Sequence, residues 1–375
     1  MRDISPWYGA FNHAKFFGTV IEDAAIAQIN HILDAPQFEG SHIAFMPDAH
    51  CGTGCVVGTT MTYDKSIAPC LVGCDIGCGM TSIPVVPDNF DMEKFDASAH
   101  ERVPAGVGRL RSTPHKNADR IADALSTLEY YGIQFDFDKA MNAIGSLGSG
   151  NHFIELCKSA EMDCWWLTVH SGSRNLGLIV YNYFQRLAEI ETHHAPFGLC
   201  TITGEAFEQY ILAMDVCREY ASISRDTMLT ELTRKTGLLY DEENDVCMID
   251  SVHNYVDTAN KIIRKGATNA YADELLIIPL NMRDGSLICR GKGNPEWNYS
   301  APHGAGRMMS RKEAKKKIKI DEFAQSMKEV YSSSIDALHL DEAPQAYKPM
   351  ETIIDTIEPT VDILHRIVPI WNFKG

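Results

Sequence analysis

The chain has 375 residues, a formal net charge of −16, 45% hydrophobic and 22% charged residues, and eleven cysteines. That length can bury a large core, and the balance is that of a globular enzyme in water. It excludes a protein that coats nucleic acid through bulk positive charge, while leaving room for a local basic groove.

Helical spacing of apolar residues predicts a helix over Ile21–Leu33, stopped by Pro36. Strand-like segments follow at Ile43–Met46, Cys55–Thr62 and Met80–Val86, with Gly-rich turns between them. A second helix is expected over Asn117–Tyr130 and a short strand at Trp165–Val169. The segment Thr192–Thr203 reads as a surface loop, with His193, His194 and Pro196 in solvent rather than on a metal. The largest helix is expected over Glu205–Thr233, with Ile211, Met214 and Val216 facing inward. Strands at Leu275–Ile278 and Ser286–Cys289 precede helices at Ser310–Lys319 and Asp321–Tyr331.

The chain contains no Gly/Ser-rich or Pro-rich linker and no internal repeat. Motifs from both ends must converge, so the expected architecture is a single α+β domain, residues 1–375, with mixed or antiparallel sheets flanked by helices. Residues 1–40 lie ahead of the first motif. No apolar run approaches the roughly 20 residues that span a bilayer. The opening MRDISPWYGAFNHAKFF lacks the apolar stretch of a secretory signal. An odd number of cysteines without a regular framework fits reduced, mostly buried thiols, and hence a cytoplasmic protein.

The chemistry is concentrated in six Gly- or Asn-flanked patches: Asp75-Ile-Gly-Cys78, Asn151-His152, His170-Ser-Gly-Ser-Arg174, His253-Asn254, Arg264-Lys265-Gly266 and His303-Gly-Ala-Gly-Arg307. A Gly flank lets the backbone turn sharply and presents an imidazole at a loop tip. Singly, His152, His170 and His253 read as structural histidines; together with Asp75 and Cys78 they read as a polynuclear metal site. Cys70, Cys74 and Cys78 form no paired C-x-x-C, so zinc knuckles and iron–sulfur sites fit poorly. Ligand softness favours zinc, the carboxylate tilts towards manganese, and composition leaves both open. Two cations close together would orient a phosphate chain for in-line attack. His303, with Arg307 and Arg311 behind it, is either a nucleophile that attacks phosphorus to give a phosphoramidate or a further metal-binding histidine. The cationic run from Arg311 to Lys319 is either a solvated helix face capped by Ser310 or a phosphate-backbone contact. Gly52-Thr-Gly54 and Gly291-Lys292-Gly293 match no nucleotide fingerprint and read as turns.

Taken in order, MPDAHCGTGCVVG, VGCDIGCGM, LGSGNHFIEL, VHSGSRNLG, RKGAT, SAPHGAGRMMSR and the ending Lys374-Gly375 resemble the RtcB family of RNA ligases, from about Phe45 onward. The resemblance implies GTP- and manganese-dependent joining of RNA ends bearing a 2′,3′-cyclic phosphate or 3′-phosphate to a 5′-hydroxyl. It implies that Asp75, Cys78, His152, His170 and His253 ligate two manganese ions, Cys78 bridging, and that His303 takes GMP from GTP. Asn151 and Arg174 would hold phosphates of nucleotide or RNA, with Lys265, Arg307 and Arg311 supporting the same region. Glu155, Ser286 and Lys374 would read guanine, and Asp48 would orient the site. An archease or release-factor-like accessory protein is a further expected partner. There are departures. Pro279-Leu280-Asn281-Met282-Arg283 replaces Pro-Gly-Ser-Met-Gly, so Asn281 takes the place of a phosphate-contacting Ser. Cys51 stands where an aromatic is frequent, and the chain is short for the family. The competing readings are a metal-dependent RNA-end phosphodiesterase or phosphatase, which needs neither His303 nor the guanine set, and a non-catalytic RNA-end binder, which would tolerate loss of Asp75 or Cys78.

Overall fold

The structure, a computed structural model, describes residues 6–375 except 160, 162, 193, 194, 196, 197, 235, 243 and 245–247. Among them, the strands form two large sheets. The six-stranded sheet runs in the order Trp7–Tyr8, His13–Phe16, Ile43–His50, Val57–Thr62, Ile262–Lys265, Asn254–Asp257. The nine-stranded sheet runs Leu238–Tyr240, Gly79–Pro87, Trp165–Ser171, Phe153–Ser159, Val361–Lys374, Gly285–Gly291, Leu275–Asn281. Ile249–Val252 also pairs with Gly79–Pro87, and Tyr331–Ser332 with Val361–Lys374. Pairing is antiparallel except for His13–Phe16 on Ile43–His50 and Tyr331–Ser332 on Val361–Lys374. The α+β expectation, with mixed sheets and flanking helices, holds.

Gly204–Thr233 is the longest helix, because nothing in its interior breaks it: glycine occurs only at its first position and proline nowhere. Tyr210, Met214, Cys217, Tyr220 and Ala221 are buried at helical spacing, while Ile211 and Val216 are half-buried against the same core. Each fully buried large side chain there contributes about 1.5–3 kcal/mol. This face packs beside the helix Arg174–Glu191 and under the strands Gly79–Pro87 and Trp165–Ser171.

Most expected elements are present, and the departures have local causes. Asn117–Tyr130 is split into a 3-10 turn, Lys116–Arg120, and a helix, Ala122–Tyr130. Ser310 caps Arg311–Lys317 by accepting from the Glu313 N–H, and Ile318 then leaves the helix to join a small apolar cluster. The next helix, Ile320–Ser326, stops short of Tyr331, because Tyr331–Ser332 is taken into the sheet beside Trp371 and Asn372. His193, His194 and Pro196 lie outside the described residues. The end of that expected surface loop is not exposed: Leu199, Cys200 and Ile202 are buried, and Ile202–Thr203 pairs with Ser66–Ile67. Every described cysteine is a free thiol, and no described helix is long and apolar enough to cross a membrane.

Candidate active site

Four strands of the larger sheet end at one place. Gly79 pairs with Ser171, Met80 with His170, Phe153 with His170, and Val252 with Gly79. Cys78, His152 and His253 each lie one residue beyond such a strand end, and His170 lies one residue inside its own. The Asp75–Cys78 turn closes with a Cys78 N–H to Asp75 carbonyl bond of 3.1 Å, with Gly77 in the left-handed region at φ 72°. Gly172 is required by close approach, since a Cβ there would lie 2.1 Å from Asp75 Oδ1. Arg225, fully buried in the long helix, donates to the Gly77 and Ser171 carbonyls at 3.1 and 3.0 Å and so ties the turn to the sheet end.

Two donor sets share one atom: Asp75, Cys78 and His152 form the first, and Cys78, His170 and His253 the second. Cys78 Sγ is 3.5 Å from His152 Nε2 and 3.3 Å from His170 Nε2, and the His170 and His253 Nε2 atoms are 3.3 Å apart. His152 Nδ1 faces the Leu147 carbonyl at 3.1 Å, and His170 Nδ1 the Asn151 carbonyl at 3.2 Å. A carbonyl can only accept, so His170 Nδ1 carries the proton and its Nε2 lone pair points inward, whereas His152 Nδ1 also lies 3.3 Å from the donor Arg174 Nη1. His152 Nε2 meets Asp75 Oδ2 at 3.1 Å. Carboxylate, thiol and imidazole donors converging within such distances of one another fit a metal site. Burial, then the Asp75 carboxylate, pushes the Cys78 thiol well up, so a cation is what makes it a thiolate. Burial holds His170 and His253 well below the usual histidine range, in the neutral form a metal takes.

His303 follows the strand Ser300–Pro302, which pairs with Ala267–Asn269. Its ring centroid lies 5.0 Å from that of His253. His303 Nδ1 is 2.7 Å from Oδ2 of the fully buried Asp48, an ion-pair contact although the N–H does not point along the line between the atoms. Asp48 comes from the six-stranded sheet, so this pair joins that sheet to the two-stranded one that leads into His303. Lys348, buried, pins the same strand one residue before Asp48 by donating to the Pro47 carbonyl at 2.8 Å. A carboxylate on Nδ1 leaves Nε2 as the nitrogen available for attack or ligation.

A cleft of about 630 Å³ opens beside His303 and His170 and is lined by Asn151, Glu155, Asn281, Arg311 and Lys374 among others. Glu155 is buried and accepts one strong bond, from Asn372 Nδ2 at 2.7 Å. Burial raises its carboxyl to about 7, against the pull of Lys374 and Asn372. The folded chain therefore holds a proton that the unfolded chain loses near the ordinary 4.5, and stability falls as pH rises from 4.5 to about 7. Glu155→Gln should remove that fall, gaining on the order of 3 kcal/mol relative to the parent between the two ends of the window. Denaturant titrations at pH 5 and pH 8 measure it; parallel pH slopes for the two proteins would show Glu155 ionised throughout.

With this geometry in view, the family described as tRNA-splicing ligase RtcB matches residues 28–375. The chain belongs to the RtcB family. It is 32% identical to the RNA-splicing ligase RtcB of Escherichia coli K12, over 96% of each chain. It is 31% identical to RtcB1 of a second E. coli strain over the same shares. It is 24% identical to the tRNA-splicing ligase RtcB of Archaeoglobus fulgidus, over 95% of this chain and 92% of the relative. It thus spans nearly the whole of these RtcB proteins.

The remaining residues expected from the RtcB resemblance fall in several places. Arg174 opens its helix at φ 59° and donates to the Leu147 carbonyl that His152 also uses; it borders a second cleft of about 480 Å³ with Arg109 and Lys139. Arg311 is half-exposed on the first cleft, 3.6 Å from Asp341 and 3.7 Å from Glu342. Arg307 is more committed, donating to the Met309 and Asp341 carbonyls, Glu342 and Tyr347 OH. The buried Lys265 ammonium donates to the Thr53 and Cys70 carbonyls at 2.7 and 2.9 Å and sits 3.2 Å from Cys55 Sγ. Asn281 lines the first cleft while its amide closes the turn to Asp284. Ser286 is buried, its hydroxyl without a hydrogen bond. Sequence reasoning missed Arg225, Lys348 and Glu342, whose importance comes only from partners far along the chain.

Proposed function

We propose that the chain is an RNA ligase that joins RNA ends carrying a 2′,3′-cyclic phosphate or 3′-phosphate to 5′-hydroxyl ends, using GTP and two manganese ions. The observation that carries the reading is the pair of donor sets sharing Cys78, with His303 on its Asp48 partner against the same cluster. Family membership and the RNA-ligase names of the relatives support it. Motifs from both sheets build the site, so we treat 1–375 as one catalytic unit; free thiols suit a cytoplasmic setting.

Asp75, Cys78 and His152 would hold one ion and Cys78, His170 and His253 the other. Bound there, divalent ions supply charge to neutralise phosphate oxygens. Asp48 holds the proton-bearing Nδ1 of His303, leaving Nε2 to attack the α-phosphorus of GTP; the P–N bond forms as pyrophosphate leaves. A cyclic phosphate opens with water to a 3′-phosphate, an oxygen of that phosphate then displaces His303 from GMP, and the 5′-hydroxyl finally displaces GMP. Capping the phosphate turns a poor electrophile into one with a good leaving group. Glu155 and Lys374 would take the guanine edge, Asn151 and Arg311 the nucleotide phosphates, and Arg174 the RNA phosphate. Lys265, Arg307, Asn281 and Ser286 then act by shaping these walls.

A hydrolase of RNA ends is the other reading of such a metal cluster, but it has no use for His303 on Asp48. Incubation with labelled GTP and manganese, then denaturing separation, tests the proposal: a labelled protein band supports it, and shortened but unjoined RNA ends with no labelled band would replace it. Adding an archease or release-factor-like protein and asking whether turnover then exceeds one tests the expected partner.

The basic helix gives a second prediction. Lys315 pairs with Asp341 at 3.2 Å and Lys317 with Glu313, whereas Lys316 is in no ion pair with the described residues. Neutralising Lys315, Lys316 and Lys317 together should lower the salt slope of RNA binding by about one unit, because one of the three is free for a phosphate. Guanylylation, which needs no RNA, is the control. An unchanged slope makes the run a solvated helix face.

A further inference from the structure

Lys374 stands between two buried carboxylates and is bonded to one of them. It ends the strand Val361–Lys374, where Asn372 pairs with Glu155 and Lys374 with Phe153. Lys374 and Glu155 are therefore diagonal neighbours on one sheet face, a separation of roughly 7–8 Å that a lysine stem can span. The ammonium instead donates to Glu342 Oε2 at 2.6 Å. Glu342, on the turn Leu340–Glu342, is 1% exposed and also accepts from Tyr347 OH at 2.6 Å and Arg307 Nη1 at 3.2 Å. Among the described residues, the Glu155 carboxylate has only the Asn372 amide and a long thiol contact from Cys157 at 3.9 Å.

Resting on the ligase reading above, we propose that Glu342 is a positioning residue for nucleobase recognition: it holds Lys374 off Glu155, leaving Glu155 open to the paired N–H donors of a guanine edge. Guanine offers N1–H and a 2-amino group side by side, whereas adenine has an acceptor at N1. The charge distribution agrees. Burial raises the Glu342 carboxyl, but Lys374, Arg311 and Arg307 outweigh it and hold the group at about 2, whereas burial dominates at Glu155. Glu342 also joins the base-reading lysine to Arg307, and so to the His303-Gly-Ala-Gly-Arg307 loop that carries the nucleophile.

Glu342→Gln keeps the shape and removes the charge that retains Lys374, which then moves onto Glu155 as an ion pair. In manganese-loaded protein, the GTP concentration giving half-maximal self-guanylylation should rise about tenfold or more, while the saturated rate stays within about threefold. Preference for GTP over inosine triphosphate, which lacks the 2-amino group, should shrink in step. The double variant Glu155→Gln/Glu342→Gln should be no worse than Glu155→Gln alone, because no carboxylate is left for the lysine to block. A purely structural Glu342 predicts a lower saturated rate at unchanged half-saturation, with losses that add in the double variant; either result overturns the proposal. If Glu342→Gln does not fold, Glu342→Asp keeps the charge but withdraws it by one methylene, and half-saturation should rise about three- to tenfold. An unchanged value there overturns the proposal too. A parent protein that takes no label from GTP is a different result: it removes the ligase reading and this inference with it.

Discussion

Alanine at position 303 should abolish covalent labelling by GTP, a loss of at least about 10³-fold, while the protein still binds its metal ions. Both parts follow from the geometry. His303 belongs to neither donor set, yet its ring stands 5.0 Å from that of His253 and its Nδ1 lies on Asp48 at 2.7 Å. Removing the ring removes the attacking nitrogen and leaves five ligands in place. The parent's adduct should be acid-labile and alkali-stable, as a phosphoramidate is. Asp48→Asn keeps the ring but loses the charge that orients it, and should lower labelling by roughly 10²–10⁴-fold, as when the carboxylate behind a catalytic imidazole is neutralised. If His303→Ala still takes label at the parental rate, the adduct lies elsewhere and His303 is a bystander.

What the sequence displayed and what it hid divide along a physical line. The cluster of Asp75, Cys78, His152, His170 and His253 was visible because a polar side chain presented at a strand end needs a turn beside it, and Gly77, Gly150 and Gly172 mark those turns. The long helix was visible because its buried positions repeat at helical spacing over thirty residues. Arg174–Glu191 carries the same signal, with Leu176, Val180, Phe184 and Ala188 buried in register, although no element was expected there. Val361–Lys374 was obscured by Pro369 and by the bulge between Pro369 and Trp371. Buried charges were the least legible. Lys265 looks like a phosphate contact beside Gly266, and only the fold reveals the carbonyls of Thr53 and Cys70 around it. Glu342 looks like an ordinary acidic residue until Arg307, Tyr347 and Lys374 converge on it. Local propensity records backbone needs; it holds no record of where a distant counter-charge will lie.

Cys78→Ala should cost more than any other single ligand change, because its Sγ is the one atom common to both donor sets. The thiol lies 3.5 Å from His152 Nε2 on one side and 3.3 Å from His170 Nε2 on the other. Loss of His253 strips one ligand from one set. Loss of Cys78 strips one from each and removes the bridge that fixes the separation of the ions, and with it their joint grip on a phosphate chain. Manganese stoichiometry should fall from two per chain to one or none, and ligation by at least about 10³-fold, against about 10–100-fold for a change that weakens a single ion. Cys78→Ser offers an oxygen that a harder ion such as manganese accepts, so it should recover part of the binding, whereas a zinc site would gain little. Equilibrium dialysis with metal analysis, run beside ligation of a 3′-phosphate RNA to a 5′-hydroxyl RNA, reads both quantities. A Cys78→Ala protein that binds two ions and ligates within about threefold of the parent would show that the thiol is packing and that the two ions, if present, are held by the imidazoles and Asp75 alone.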